Sequence, residues 1–307
     1  HLAAVGEAAA TVPIASLGDA GLVPGPSLGG TVELLGIPSG TADLSAQGGA
    51  TSNGRVVLRG GQLVLSRARV RAGGSDGSDL AIDLAATESI ELDDSTDTGS
   101  ETAQVSDPLH VGVRVAAPEI SLTQIEASEG SRISSSSSTR SAGTVEIHAP
   151  GSLTLEGPRT AIHARIVTGD AGGDIEVAAG RLSLKDRASI YTEARTLGRL
   201  DPPTAAGGTI RIVADEASLQ GSSGIQATTL TSAQSGDVHL DIDGALTLSD
   251  RSGITTQPLG TGDAGDIWIG AGSLDLELGS QVLSEAGGEF GAPGDICLLY
   301  TSDAADE

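Results

Sequence analysis

Residues 261–286 read TGDAGDIWIGAGSLDLELGSQVLSEA, and nearly the same phrase is written at residues 169, 204, 232 and 290. A fixed period of this size is the signature of architectures made of stacked copies of one unit. The glycines that open the phrases are Gly143 in AGTVEI, Gly173 in GGDIEV, Gly208 in GGTIRI, Gly236 in SGDVHL, Gly265 in AGDIWI and Gly294 in PGDI. Successive intervals are 30, 35, 28, 29 and 29 residues. Apolar residues recur at set offsets: Val145, Ile175, Ile210, Val238 and Ile267 two residues on, then Ile147, Val177, Ile212, Leu240 and Ile269 four on. A second pair follows (Leu153/Leu155, Leu182/Leu184, Leu246/Leu248, Leu274/Leu276), of which only Leu219 matches cleanly in the Gly208 unit. A third position holds Ile162, Ile190, Ile225, Ile254 and Val282.

Each cluster alternates apolar and polar with period two, which is the periodicity of a strand and not of a helix. Gly, Asp, Asn and Ser punctuate the clusters and turn the chain. Three short strands cannot bury an apolar face alone, but stacked on copies of themselves they can. The expected fold is all-β, a parallel β-helix (solenoid) with three short strands per coil. The front half repeats the pattern less regularly in NGRVVLRGGQLVLSRARV (53–70), SDLAIDL with SIEL (78–92), HVGVRV with EISL (110–122) and GGTVELL (29–35). About ten coils, spaced about 4.8 Å, predict a rod on the order of 50 Å long. Two polar, aperiodic segments, 93–107 and 194–207, are expected to be loops thrown off the rod.

With 44 glycines and only 1% aromatic residues, the core has to be aliphatic. A net charge of -24 opposes nucleic acid, whose binding needs basic side chains on phosphates, and equally an anionic membrane surface. No run approaches the 18 or so apolar residues that span a bilayer. The chain begins at His1 in mid-phrase without a basic leader and contains no Met, so it reads as a fragment of a longer protein. Its expected organisation is a degenerate leading segment or partial coil over 1–28, the repeat domain over 29–296, and a tail over 297–307. The tail, CLLYTSDAADE, holds the only cysteine and leaves the repeat in mid-strand. It resembles the translated read-through of a transposon-type sequencing adapter and is expected to be non-native.

Few residues invite chemistry. GDAGGDIEV (169–177) lacks the tandem nine-residue repetition of the calcium-binding nonapeptide and has Glu176 where that motif needs an apolar residue. Asp237, Asp266 and Asp295 share one offset, so stacking lines up their carboxylates about 4.8 Å apart. Either each accepts hydrogen bonds from its own turn, the favoured reading, or a calcium ion relieves their repulsion. One position further out the column reads Glu146, Glu176, Arg211, His239, Trp268. Glu176 and Arg211 are placed to pair, and His239 beside Trp268 forms a candidate surface platform for a sugar or other ligand. His148 and His163 fall on outward positions with no third metal ligand at suitable spacing. No H-E-x-x-H motif is present. The chain is therefore expected not to be an enzyme and to need no cofactor.

The phrases GGQLVLSRARVRA, GGDIEVAAGRLSLKDRASIYTEA and AGDIWIGAGSLDLELGSQVLSEA resemble the coil repeats of filamentous-haemagglutinin-like exoproteins of Gram-negative bacteria and cyanobacteria, the passengers of two-partner secretion. The resemblance covers residues 29–296 and rests on a repeat pattern. It implies a right-handed β-helix, passage through an outer-membrane two-partner secretion transporter, and a secreted or cell-surface adhesin or adhesin stalk. Such a protein acts in attachment or biofilm against a host or cell-surface receptor or glycan, without nucleic-acid binding or membrane insertion. The family's secretion domain is not recognisable in residues 1–28, and no family motif assigns a site residue. The alternative expectation is a β-helix carbohydrate-active enzyme, a polysaccharide lyase or glycosidase.

Overall fold

The alternating clusters form strands, and every strand pairs in parallel with the equivalent strand of a neighbouring coil. The computed structural model describes residues 2–3, 30–35, 42–47, 56–73, 81–94, 97–102, 111–124, 130–137, 142–167, 172–195, 205–287 and 291–300. Among these there is no helix.

Seven turns of the solenoid share one form, a long strand followed by a short one. The long strands are β4 (Val56–Ser66), β6 (Ile82–Asp93), β11 (Thr144–Glu156), β13 (Ile175–Lys185), β15 (Ile210–Leu219), β17 (Val238–Leu248) and β19 (Ile267–Leu276). Their short partners are β5 (Ala68–Gly73), β7 (Asp97–Thr102), β12 (Ala161–Ile166), β14 (Ser189–Ala194), β16 (Gly224–Thr229), β18 (Gly253–Pro258) and β20 (Gln281–Ser284). Between β7 and β11 the long strand is divided into β8 (Val111–Ala116) and β9 (Glu119–Thr123), followed by β10 (Arg132–Ser137). Before β4 lie β1 (Leu2–Ala3), β2 (Thr31–Leu35) and β3 (Ala42–Gln47), and after β20 lies β21 (Ile296–Tyr300). The turns are thus somewhat fewer than the ten expected. Long strands stack into a 12-stranded sheet and short strands into a 9-stranded one.

The expected three strands per coil reduce to two because the first two clusters run on as one bent strand. Inward residues of its halves lie three apart at Ala179 and Leu182 or four apart at Ile242 and Leu246, with register shifts between Ile242 and Ala245 and between Ala149 and Ser152. In a flat strand the three-residue step would send the second half outward; the bend turns it back to the core. The core is a set of ladders: Val145–Ile175–Ile210–Val238–Ile267 and Ile133–Ile162–Ile190–Ile225–Ile254 are buried throughout. In the Gly208 unit, Ala217 stands between Leu182 and Leu246, so this rung keeps the register with a smaller side chain.

Between long and short strands the chain turns through paired left-handed residues: Asp186 and Arg187 (φ 53° and 69°), Asp250 and Arg251 (54° and 62°), Leu278 and Gly279 (50° and 77°). Two central residues with positive φ define a type I′ turn, closed here by Ala188 N–H to Lys185 O at 3.1 Å and Ser280 N–H to Glu277 O at 3.1 Å. The turns stack as well: Arg187 N–H donates to Gly221 O at 2.9 Å and Arg251 N–H to Leu278 O at 3.1 Å. These bonds between coils offset the cost of holding non-glycine residues in the left-handed region.

Two sequence expectations change. Segment 93–107 is not wholly a loop, because Asp97–Thr102 forms β7 and pairs with both β5 and β10. Its polar side chains hide a strand whose pairing is backbone to backbone. At the tail, Ile296–Tyr300 keeps register with β19, with Trp268 opposite Cys297, so the backbone ladder is not interrupted at Cys297. Most of the other expected loop, residues 196–204, lies outside the described residues.

Candidate functional site

Outward positions of the long strands form the column predicted from the repeat. Glu146, Glu176, Arg211, His239 and Trp268 are consecutive partners across β11, β13, β15, β17 and β19, and the structure extends the column by Arg114 of β8, opposite Glu146. Trp268 is 45% exposed beside His239, as the candidate platform requires. The ion pair in the column is Arg114 Nε to Glu146 Oε2 at 2.8 Å. The pairing expected between Glu176 and Arg211 is absent among the described residues, although the two stand opposite each other. With Arg114 engaged on Glu146, Glu176 and Arg211 are left as an uncommitted acceptor and donor.

A second outward column lies two residues along each strand, where His148, Ala178 and Val213 are partners. Ala178 is the short side chain between two longer ones and leaves a depression. A cavity of about 270 Å³ opens there, lined on one side by Arg114, Glu146, Glu176 and Arg211 and on the other by His148 and Val213. Val213 is 48% exposed, an apolar patch facing four charged side chains. His148 thus does sit outward and in a cavity, with no metal cluster around it among the described residues.

The aspartates depart from the favoured sequence reading. Asp266 N–H donates to Asp237 Oδ1 at 2.9 Å and Asp295 N–H to Asp266 Oδ1 at 2.8 Å. Further back, Thr209 N–H donates to Asp174 Oδ1 at 2.7 Å. The carboxylates of Asp174, Asp237 and Asp266 therefore accept from the backbone of the next coil. A backbone donor held by a carboxylate makes a charge-assisted bond, which gives the Asp ladder a structural task. Among the described residues no three His, Cys, Asp or Glu side chains gather as a metal-holding group.

Sequence reasoning missed a cluster on the second sheet. His163 lies on an outward register position, yet it is buried and stacked on Tyr191, with ring centroids 5.0 Å apart and planes at 5°. Arg165 Nε meets Glu193 Oε2 at 2.9 Å and its guanidinium reaches the Tyr191 hydroxyl at 3.2 Å, while Arg195 also binds Glu193. Buried Glu193 between two guanidiniums is a satisfied ion cluster. The signal was available: His163 and Tyr191 each follow the third apolar position by one residue, and Arg165 and Glu193 by three.

The chain matches no known protein family, no curated protein and no solved structure. No helix among the described residues is long and apolar enough to cross a membrane, which says nothing about strands.

Proposed function

We propose that this chain is a non-enzymatic surface adhesin or adhesin stalk of a Gram-negative bacterium or cyanobacterium, exported through an outer-membrane two-partner secretion transporter. It acts outside the cell in attachment or biofilm, against a surface receptor or glycan. The observation that carries the reading is a division of labour: inner ladders and turns absorb the fold's constraints, while the outward column carries Glu176 and Arg211, unpaired with each other, and an exposed Trp268. Such a rod presents a long face of outward side chains, which suits contact with another surface. The resemblance of its coil repeats to two-partner secretion exoproteins supports the same reading. Beads coated with the chain are expected to attach to bacterial or host cells above beads coated with an equally acidic inert protein. Equal attachment of both would overturn the adhesive role.

One observation favours the enzymatic alternative. Glu146 and Glu176 sit on adjacent rungs at the cavity, and rung spacing of about 4.8 Å approaches the roughly 5–5.5 Å carboxyl separation of retaining glycosidases. Against it, Glu146 is engaged by Arg114. Release of reducing sugar from neutral or acidic polysaccharides separates the two, since any turnover lost in Glu176→Gln selects the enzyme.

A further inference from the structure

The cavity over Ala178 and the Trp268 platform lie along one column, and their chemistry identifies a ligand class. Arg211 is followed by His239 and then Trp268, so the aromatic stands two rungs, about 10 Å, beyond the cavity edge. Two guanidiniums and two carboxylates balance in charge around the cavity. Glu176 accepts hydrogen bonds only and Arg211 donates them only, and neither is committed to a partner among the described residues. Hydroxyl groups do both, so neighbouring hydroxyls of one ring satisfy the acceptor and the donor together. Val213 and Trp268 supply exposed apolar surface for the C–H face of a sugar ring. A cationic ligand meets Arg114 and Arg211; a polyanionic one approaches a chain of net charge -24.

We propose that the outward column binds a neutral oligosaccharide, with one ring in the cavity hydrogen-bonded to Glu176 and Arg211 and the chain running over His239 to Trp268. The proposal names a ligand class for the adhesive surface and rests on that reading. It is nevertheless separable: beads that still attach while no saccharide binds defeat the proposal alone, and saccharide binding without attachment defeats the adhesive role alone.

Trp268 is the only tryptophan, so its fluorescence reports on the site without labelling. The whole 307-residue chain is titrated with cellotetraose, maltotetraose, mannotetraose and chitotetraose, and with tetragalacturonate as the anionic comparison. At least one neutral tetrasaccharide is expected to change the emission saturably with a Kd of about 1 mM or tighter. Arg211→Met and Glu176→Gln, both at exposed positions, are expected to weaken it about tenfold while far-UV circular dichroism is unchanged. Ala178→Leu, which fills the cavity, is expected to abolish it. The proposal is overturned if none of the four saturates, if the three substitutions leave the affinity unchanged, or if tetragalacturonate binds more tightly than every neutral probe.

Discussion

At the scale of single residues, the opening glycines explain the period better than the aliphatic ladder does. A Cβ on Gly236 would lie 1.8 Å from the carbonyl oxygen of Gly208, one on Gly208 2.0 Å from Gly173 O, and one on Gly265 2.1 Å from Gly236 O. Each glycine is the space into which the previous coil's carbonyl fits, and the obstacle is backbone, which cannot swing aside. Gly236→Ala is therefore expected to lose about 2–4 kcal/mol by forcing two coils apart. Gly270→Ala is the control: its Cβ would meet nothing nearer than Asp241 Oδ1 at 3.5 Å, and it should be neutral or stabilising by up to about 1 kcal/mol. Chemical denaturation of the two variants checks this, and equal losses would refute a steric role for the glycine ladder. The sequence showed where these glycines stand, because period and offset are properties of one chain read in line. It could not show why, since the clash arises between residues about thirty positions apart. The same limit applies to the aspartates: their common offset was legible, but the partner one coil onward was not.

At the scale of the element, strands were legible wherever aliphatic and polar residues alternate, and illegible where pairing rests on the backbone alone. The short strand β7, DTGSET, has no aliphatic residue, yet it occupies a full rung, with Thr98 standing between Val70 and Ile133. Thr98 is fully buried, and its hydroxyl has no hydrogen-bond partner, whereas other inward hydroxyls of this sheet find one. Thr192 Oγ1 donates to Gly208 O at 2.7 Å and Thr256 Oγ1 to Gly265 O at 2.6 Å. The orphaned hydroxyl carries its desolvation cost uncompensated. Thr98→Val keeps the shape and the β-branch, restores the aliphatic ladder, and is expected to stabilise the chain by about 1–2 kcal/mol. Thr192→Val, which abandons a made hydrogen bond and leaves Gly208 O unsatisfied by it, is expected to destabilise. If thermal melting moves both variants in the same direction, the hydrogen bond of the hydroxyl is not what distinguishes the two sites. The bent long strands misled in the opposite way: two clusters split by a three-residue step look like separate strands in sequence, and only the register shows one strand turning a corner.

At the scale of the whole molecule, stacking makes the solenoid quasi-one-dimensional, because each coil touches only its neighbours. The outward columns follow from that arrangement, and this is why the juxtaposition of His239 and Trp268 was readable from offsets while the cavity was not. The cavity depends on relative side-chain size, long at His148 and Val213 and short at Ala178, which a hydrophobic period does not weigh. The one-dimensional character has a direct test. Residues 236–264 form one coil whose removal joins Ser235 to Gly265 and brings Ile210 opposite Ile267, since both pair with Val238. The glycine contact is renewed too, with Gly265 taking the place of Gly236 against Gly208. The shortened chain is expected to keep its β-type circular dichroism, to shorten by about 4.8 Å in solution scattering, and to lose only the stability of one coil and its interface. Removing 236–249 alone takes the first half of the coil and leaves β18 without the long strand that leads into it, so that deletion is expected to disrupt the stack from β17 onward. Should the whole-coil deletion unfold as completely as the partial one, the coils are not independent units and stability is held by the molecule as a single cooperative body.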